Sequence, residues 1–100
     1  MSEYVIRFTA VNPDDLDGDA TARLADAAGA VPGTRPVGAV RVDPVRRSIE
    51  AGFAIDVEQA MAEAARDGGR LAKEMLLAAR MPDARLVEMS VRLGDTGRAD

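Results

Sequence analysis

The sequence has no cysteine and no histidine, and these two absences exclude several kinds of chemistry. Without cysteine there are no disulfides, thiolate ligands or thiol nucleophiles, which fits a reducing cytoplasm. Without histidine, the serine–histidine and cysteine–histidine triads of hydrolases are impossible, and the commonest general base near neutral pH is missing. We therefore assign no catalytic residue, no cofactor and no resident metal from the sequence.

Aromatic residues, lysine and long apolar runs are also scarce. Tyr4, Phe8 and Phe53 are the only aromatics, and much of the 47% apolar share is alanine, so we expect a thin core that a partner or a dimer would help. No apolar run approaches the ~20 residues that span a bilayer, which predicts a cytoplasmic protein without membrane contact. The arginine-rich composition, with Lys73 as the only lysine, is typical of a GC-rich bacterial genome.

The formal net charge of −4 argues against binding to nucleic acid or to an anionic membrane by bulk electrostatics. Such binding releases counterions, and that requires a basic surface. The expected partners are therefore a second copy of the chain, another protein, or a small anionic ligand bound at a local basic patch.

Hydrophobic periodicity predicts four strands and two helices. The predicted strands are residues 3–11, 37–42, 48–55 and 87–93. The first helix follows Asn12 as N-cap and Pro13 as first helical residue, or begins near Asp19 because Gly18 weakens its first turn, and it ends at Gly29. The second helix runs from 57 to about 80 and opens with a capping-box pattern of Asp56 and Gln59.

This order of elements predicts a ferredoxin-like βαββαβ two-layer sandwich of the α+β class. Two right-handed βαβ units side by side give an antiparallel four-stranded sheet with both helices on one face. We expect a single domain over residues 1–93 and a flexible tail over 94–100. The alternative is an incomplete sheet, in which residues 37–42, flanked by Pro36 and Pro44, pair poorly or pair with another chain.

An acidic cluster and a pair of glycines each allow two interpretations. Asp14, Asp15, Asp17 and Asp19 suit a magnesium or calcium site, but they do not fit the EF-hand register. We favour the second interpretation, in which these acids stabilise the N-terminus of the first helix through its dipole, at ~0.3 to 1 kcal/mol each.

Gly68 and Gly69 lie between helical segments, so they are not a phosphate-binding loop and predict a kink or a split into two helices. Apolar residues of the second helix recur at helical spacing and form one apolar face. If the helix is unbroken, Leu77 lies on the side opposite that face, and Leu76 lies at the edge of it. Either the register shifts at the glycines, or Leu76 and Leu77 are exposed for a partner.

Four arginines flank the predicted second strand and the following hairpin tip. They are Arg35, Arg41, Arg46 and Arg47. Because guanidinium binds phosphate and carboxylate bidentately, these residues are a candidate site for a phosphate, a nucleotide or an acidic partner. The alternative is a solvated turn.

The sheet face opposite the helices is the candidate interface. Its candidate contact residues are Arg7, Thr9, Gly52, Ala54, Ser90 and Arg92. Gly52 and Ala54 would make its centre flat enough for a second copy or another protein. The alternative is a solvated face with cross-strand ion pairs, each worth ~0.2 to 1 kcal/mol.

Three functional hypotheses follow, since the ferredoxin-like superfold by itself implies no function. The first is a non-catalytic protein-interaction module, either a homodimer or a small accessory subunit of a larger complex. The second is a sensor domain that binds a small anionic ligand at the arginine patch. The third is a carboxylate-based, metal-dependent enzyme built on the acidic cluster.

Overall fold

A computed structural model describes residues 2–16, 18–57 and 61–93. The elements in chain order are β1 (Ser2–Val11), α1 (Ala20–Ala30), β2 (Arg35–Pro36), β3 (Arg41–Asp43), β4 (Ser48–Val57), α2 (Met61–Ala78) and β5 (Arg85–Leu93). The strands lie in the order β2, β4, β1, β5, with β3 also paired to β4, and every pair is antiparallel. Both helices pack on one side, so the predicted ferredoxin-like sandwich is confirmed. Neither described helix is long and apolar enough to cross a bilayer.

The core lies between the helices and one face of the two central strands, β1 and β4. All three aromatics point into it as predicted, and Tyr4, Phe8 and Phe53 are buried. The Phe8 and Phe53 rings lie 6.3 Å apart and are tilted by 59°. Leu24 from α1 and Met75 from α2 close the helix side of this cluster. Because alanine fills many of the other core positions, these few large side chains supply much of the buried apolar volume.

The predicted second strand at residues 37–42 is wrong in detail, because two short strands take its place on the outer edge of β4. Gly38 has a φ of 75°, which breaks an extended run, and Pro36 has no N–H for a continuous ladder. The Val37 N–H still donates to the Gly52 carbonyl at 3.2 Å. The segment therefore pairs within its own chain, with a loop between β2 and β3.

Of the two predicted starts of the first helix, the one near Asp19 is confirmed and the one at Asn12 is wrong. The structure around Asn12 explains why it is not the helix cap. The buried backbone N–H of Asn12 donates to the Arg47 carbonyl at 2.9 Å, and its side-chain amide donates to the Asp14 carbonyl at 3.0 Å. These bonds fix a turn after β1, and α1 begins at Ala20 with Asp19 as N-cap. The contact with Arg47, on the β3–β4 hairpin, is the tertiary interaction that replaces the local capping pattern.

The second helix is continuous, so the predicted kink or split at the two glycines is wrong. It runs from Met61 to Ala78 through Gly68 and Gly69. Gly68 is where α2 crosses the sheet, because a Cβ atom there would lie only 2.9 Å from Ile6 Cδ1. The glycine thus permits close packing of helix on strand.

The end of α2 is a Schellman turn. The Met81 N–H donates to the Leu76 carbonyl at 2.8 Å, and the Arg80 N–H donates to the Leu77 carbonyl at 3.0 Å. Arg80 has a φ of 66°, the left-handed conformation that glycine usually supplies at this position. This turn directs the chain into β5.

Three sequence predictions fall on residues outside the described part of the chain. They are the capping role of Gln59, the acidic position Asp17, and the tail over residues 94–100.

Candidate interaction surface

The open face of the sheet, which is turned away from the helices, carries side chains in regular rows. Cross-strand pairing gives the rows Ala54, Val5 and Arg92; Gly52, Arg7 and Ser90; and Glu50, Thr9 and Glu88. These rows contain all six residues that the sequence predicts for this face. The predicted alternation along the strands therefore placed these six residues on one face of the sheet.

Arg7 fills the centre of the open face. Its side chain lies across Gly52, where a Cβ atom would come within 2.9 Å of Arg7 Nη1, and its guanidinium also reaches Gly38. Arg7 Nη2 donates to Glu50 Oε1 at 3.4 Å. The expected flat site at Gly52 is therefore covered by the chain's own arginine, and the flat part of the face lies beside it.

The small side chains of the open face lie next to Arg7. Val5 and Ala54 are 8% and 3% exposed although no described helix covers them. Arg35 pairs with Ala54 in the ladder and forms an ion pair with Glu3 on the same side. Beside Arg7, the face thus carries the small, buried apolar side chains of Val5 and Ala54, framed by charges that are partly paired with each other.

The four arginines of the predicted anion patch are not gathered into one free cluster. Arg35 pairs with Glu3, Arg46 Nε lies 4.0 Å from Asp43 Oδ2, and Arg47 Nη2 lies 3.0 Å from Asp15 Oδ1. The fourth, at position 41, stands opposite Glu50 in the β3–β4 ladder. Carboxylates therefore already pair with three of the four guanidinium groups that would bind an external anion.

The described acids of the acidic cluster, Asp14, Asp15 and Asp19, differ in their position relative to α1. Asp14 and Asp15 are exposed and precede α1 by several residues, so the preferred interpretation as first-turn acids is wrong for them. Among the described acids of the cluster, Asp19 stands at the helix N-terminus. Within residues 2–16, 18–57 and 61–93, no group of three acidic side chains is arranged to hold a metal ion.

The two leucines near the end of α2 have different surroundings. Leu76 is 2% exposed and belongs to the core, so its prediction as an interface residue is wrong. Leu77 is 59% exposed. In the unbroken helix, the Leu76 side chain points into the core, whereas the Leu77 side chain points to the surface.

Sequence reasoning missed a cleft of about 600 Å³ between the C-terminal part of α2 and the start of β5. Leu76, Leu77, Met81 and Leu86 contribute apolar side chains to its lining. The Schellman turn creates it by carrying the chain around the helix end. The lining residues follow neither a helix nor a strand periodicity. The turn at Pro82 was the one local feature of the sequence that pointed to this region.

Comparison with known proteins supports the fold. No protein-family model matches the chain, and no curated protein matches it. A candidate antibiotic biosynthesis monooxygenase from Chloroflexus aurantiacus J-10-fl is similar with a TM-score of 0.49 and 19% identity, covering 93% of each chain. The structural-genomics protein YJCS is similar with a TM-score of 0.53 and 13% identity, covering 91% of this chain and 97% of that one. At such identities the likeness concerns the fold alone.

Proposed function

We propose that this domain is a non-catalytic assembly module that binds a second copy of itself through the open sheet face, alone or as an accessory subunit of a larger complex. The observation that carries the proposal is the order of charges along β5. Glu88 and Arg92 lie on the open face on either side of Ser90. An isologous interface requires such self-complementarity, because each surface element meets its symmetry mate.

The geometry of the proposed dimer follows from the rows. A two-fold axis that crosses the strands at the level of Gly52, Arg7 and Ser90 reverses the strand direction of the second copy. Arg92 of each copy then faces Glu88 of the other, at two symmetric positions. Two residues along a strand span ~7 Å, so both pairs lie close to the axis and within one interface.

The face on either side of Arg7 suits a sheet-on-sheet contact. Val5, Ala54, Thr9 and Ser90 project little, so a second sheet can approach at the ~10 Å spacing of packed sheets. Arg7 and Glu50 already form an ion pair within the chain. Docking therefore does not leave these two charges unpaired, which would be the costly case on desolvation.

The test is the solution mass by light scattering across a concentration series, with a charge-swap set of variants. We expect the parent to dimerise, and Arg92→Glu to weaken the dimer at least ~10-fold because it sets like charges against each other twice. Combining Arg92→Glu with Glu88→Arg should restore dimerisation. Arg66→Glu, an exposed position on α2, is the control with the same change in net charge.

Two outcomes would contradict the proposal. One is a monomer at every concentration for the parent; the other is equal weakening by Arg92→Glu and by Arg66→Glu. Arg7 is left unchanged because its side chain covers Gly52, and its replacement would disturb the sheet itself. The alternative of an anion sensor at the arginine patch has less support, because carboxylates already pair with Arg35, Arg46 and Arg47.

A further inference from the structure

The cleft between α2 and β5 has the size and the walls of a small-molecule site. Its volume of about 600 Å³ lies within the range of roughly 300 to 1,000 Å³ that is usual for such sites. Leu76, Met81 and Leu86 contribute buried or half-buried apolar side chains to the lining, and Leu77 adds an apolar side chain that is 59% exposed. A ligand with an apolar body would remove Leu77 from water.

The charge of the cleft is unusual for this acidic protein. Lys73 and Arg85 are exposed and line it, and no carboxylate belongs to its described lining. Neither cation forms an ion pair within the described residues. Three other surface clefts each include acidic side chains, such as Asp56, Asp26 and Glu50. On a chain of net charge −4, this cleft is therefore a local positive site.

Two carbonyl groups at the end of α2 beside the cleft already have hydrogen-bond donors. The carbonyl groups of Leu76 and Leu77 already accept the N–H groups of Met81 and Arg80 in the Schellman turn. Lys73 and Arg85 are the polar side chains of the described lining, and the other lining side chains are apolar. A ligand rich in hydroxyl or amide groups would find few partners here, whereas one anionic group on an apolar body would match both features.

We infer that this cleft binds a small amphipathic anion, of the class of monocarboxylates with an apolar chain. The carboxylate contacts Lys73 and Arg85, and the chain lies against Leu76, Leu77 and Leu86. This site is separate from the open face, since it lies at the end of α2 and the start of β5. It also differs from the arginine patch, where three of the four cations already pair with carboxylates.

The probe is decanoate, and its affinity is measured by calorimetric titration below its micelle concentration. Decanol and decyltrimethylammonium, with the same chain length, report the contribution of charge. We expect decanoate to bind and both comparators to bind at least tenfold more weakly. Lys73→Gln and Arg85→Gln should each lower decanoate affinity about five-fold, the strength of an exposed ion pair. Arg66→Gln removes an equal charge elsewhere on α2 and should leave the affinity unchanged.

A second variant tests the location. Ala84 lines the cleft and is half-buried, so Ala84→Phe fills the space and should abolish decanoate binding. If circular dichroism shows that this variant does not fold, the comparison of Lys73→Gln and Arg85→Gln with Arg66→Gln decides alone. The inference is overturned if the parent does not bind decanoate, if decanol binds as tightly, or if the cleft variants match the Arg66→Gln control.

Discussion

Gly68 and Gly69 are neighbours in α2, yet only the replacement of Gly69 by alanine should raise the free energy of unfolding. In a helix interior, alanine is favoured over glycine by ~1 kcal/mol, and this gain applies at both positions. Apart from the chain neighbours of Gly69 and the nearby backbone of its own helix, no atom lies within 4 Å of a Cβ placed at Gly69. Gly69→Ala should therefore raise the free energy of unfolding by about 1 kcal/mol.

At Gly68 the same methyl group meets the core. A Cβ there would lie 2.9, 3.1 and 3.3 Å from Cδ1, Cγ1 and Cγ2 of Ile6. Three atoms of one side chain are involved and Ile6 is 0% exposed in the central strand, so it cannot turn away without displacing its neighbours. Overpacking of this kind costs ~1–3 kcal/mol, which exceeds or cancels the helix gain. Gly68→Ala should thus be less stable than Gly69→Ala by about 1–3 kcal/mol.

The measurement is urea unfolding followed by far-UV circular dichroism, with a double-mutant cycle at Ile6. Ile6→Val removes Cδ1 and costs about 0.5–1.5 kcal/mol alone. In the Gly68→Ala background it should cost at least ~0.5 kcal/mol less, because it also relieves the clash. Equal stabilities for the two alanine variants, or additive effects of Gly68→Ala and Ile6→Val, would refute this account of the helix crossing.

Three further changes test other features by thermal and urea unfolding. Arg80→Gly should stabilise by about 0.5–1 kcal/mol because it relieves a left-handed φ of 66°, and an unchanged midpoint would contradict the strain. Gly38→Ala should destabilise by at least ~1 kcal/mol, since φ is 75° and the new methyl would lie 2.7 Å from Arg7 Nη1; a neutral result would mean that the loop relaxes freely. Leu24→Ala should lose ~2–5 kcal/mol as a fully buried core side chain, and a loss below 1 kcal/mol would show that the core closes over the gap.

The parts of the fold that could be predicted from the sequence are those where one pattern acts alone. Alternation along β1 and β4 places Phe8 and Phe53 on the core side because a strand has a fixed period of two residues. The same register placed Arg7, Ser90 and Arg92 on the open face. These predictions needed no knowledge of the neighbouring elements.

The errors arose where two distant segments determine the outcome. Asn12 has the composition of a helix cap, but the Arg47 carbonyl on the distant hairpin binds its N–H. Glycine at position 68 predicts a break in the helix, but in the structure it allows the helix to pack closely on Ile6. The cleft beside Leu77 could not be predicted, because it depends on how the turn after α2 returns to β5 rather than on any local spacing.

The interruption between β2 and β3 limits how this protein can aggregate. A sheet with regular strands on both edges can add copies at each side, which is a route to fibres. Here one edge of the described sheet is broken into strands of two and three residues, with Pro36 in the first, while β5 offers nine residues at the other edge. If two copies paired through their β5 strands in antiparallel fashion, both β5 strands would lie inside the joined sheet. Its two outer edges would then be the short strands β2 and β3 of each copy. Polymerisation by strand addition would therefore stop at two molecules.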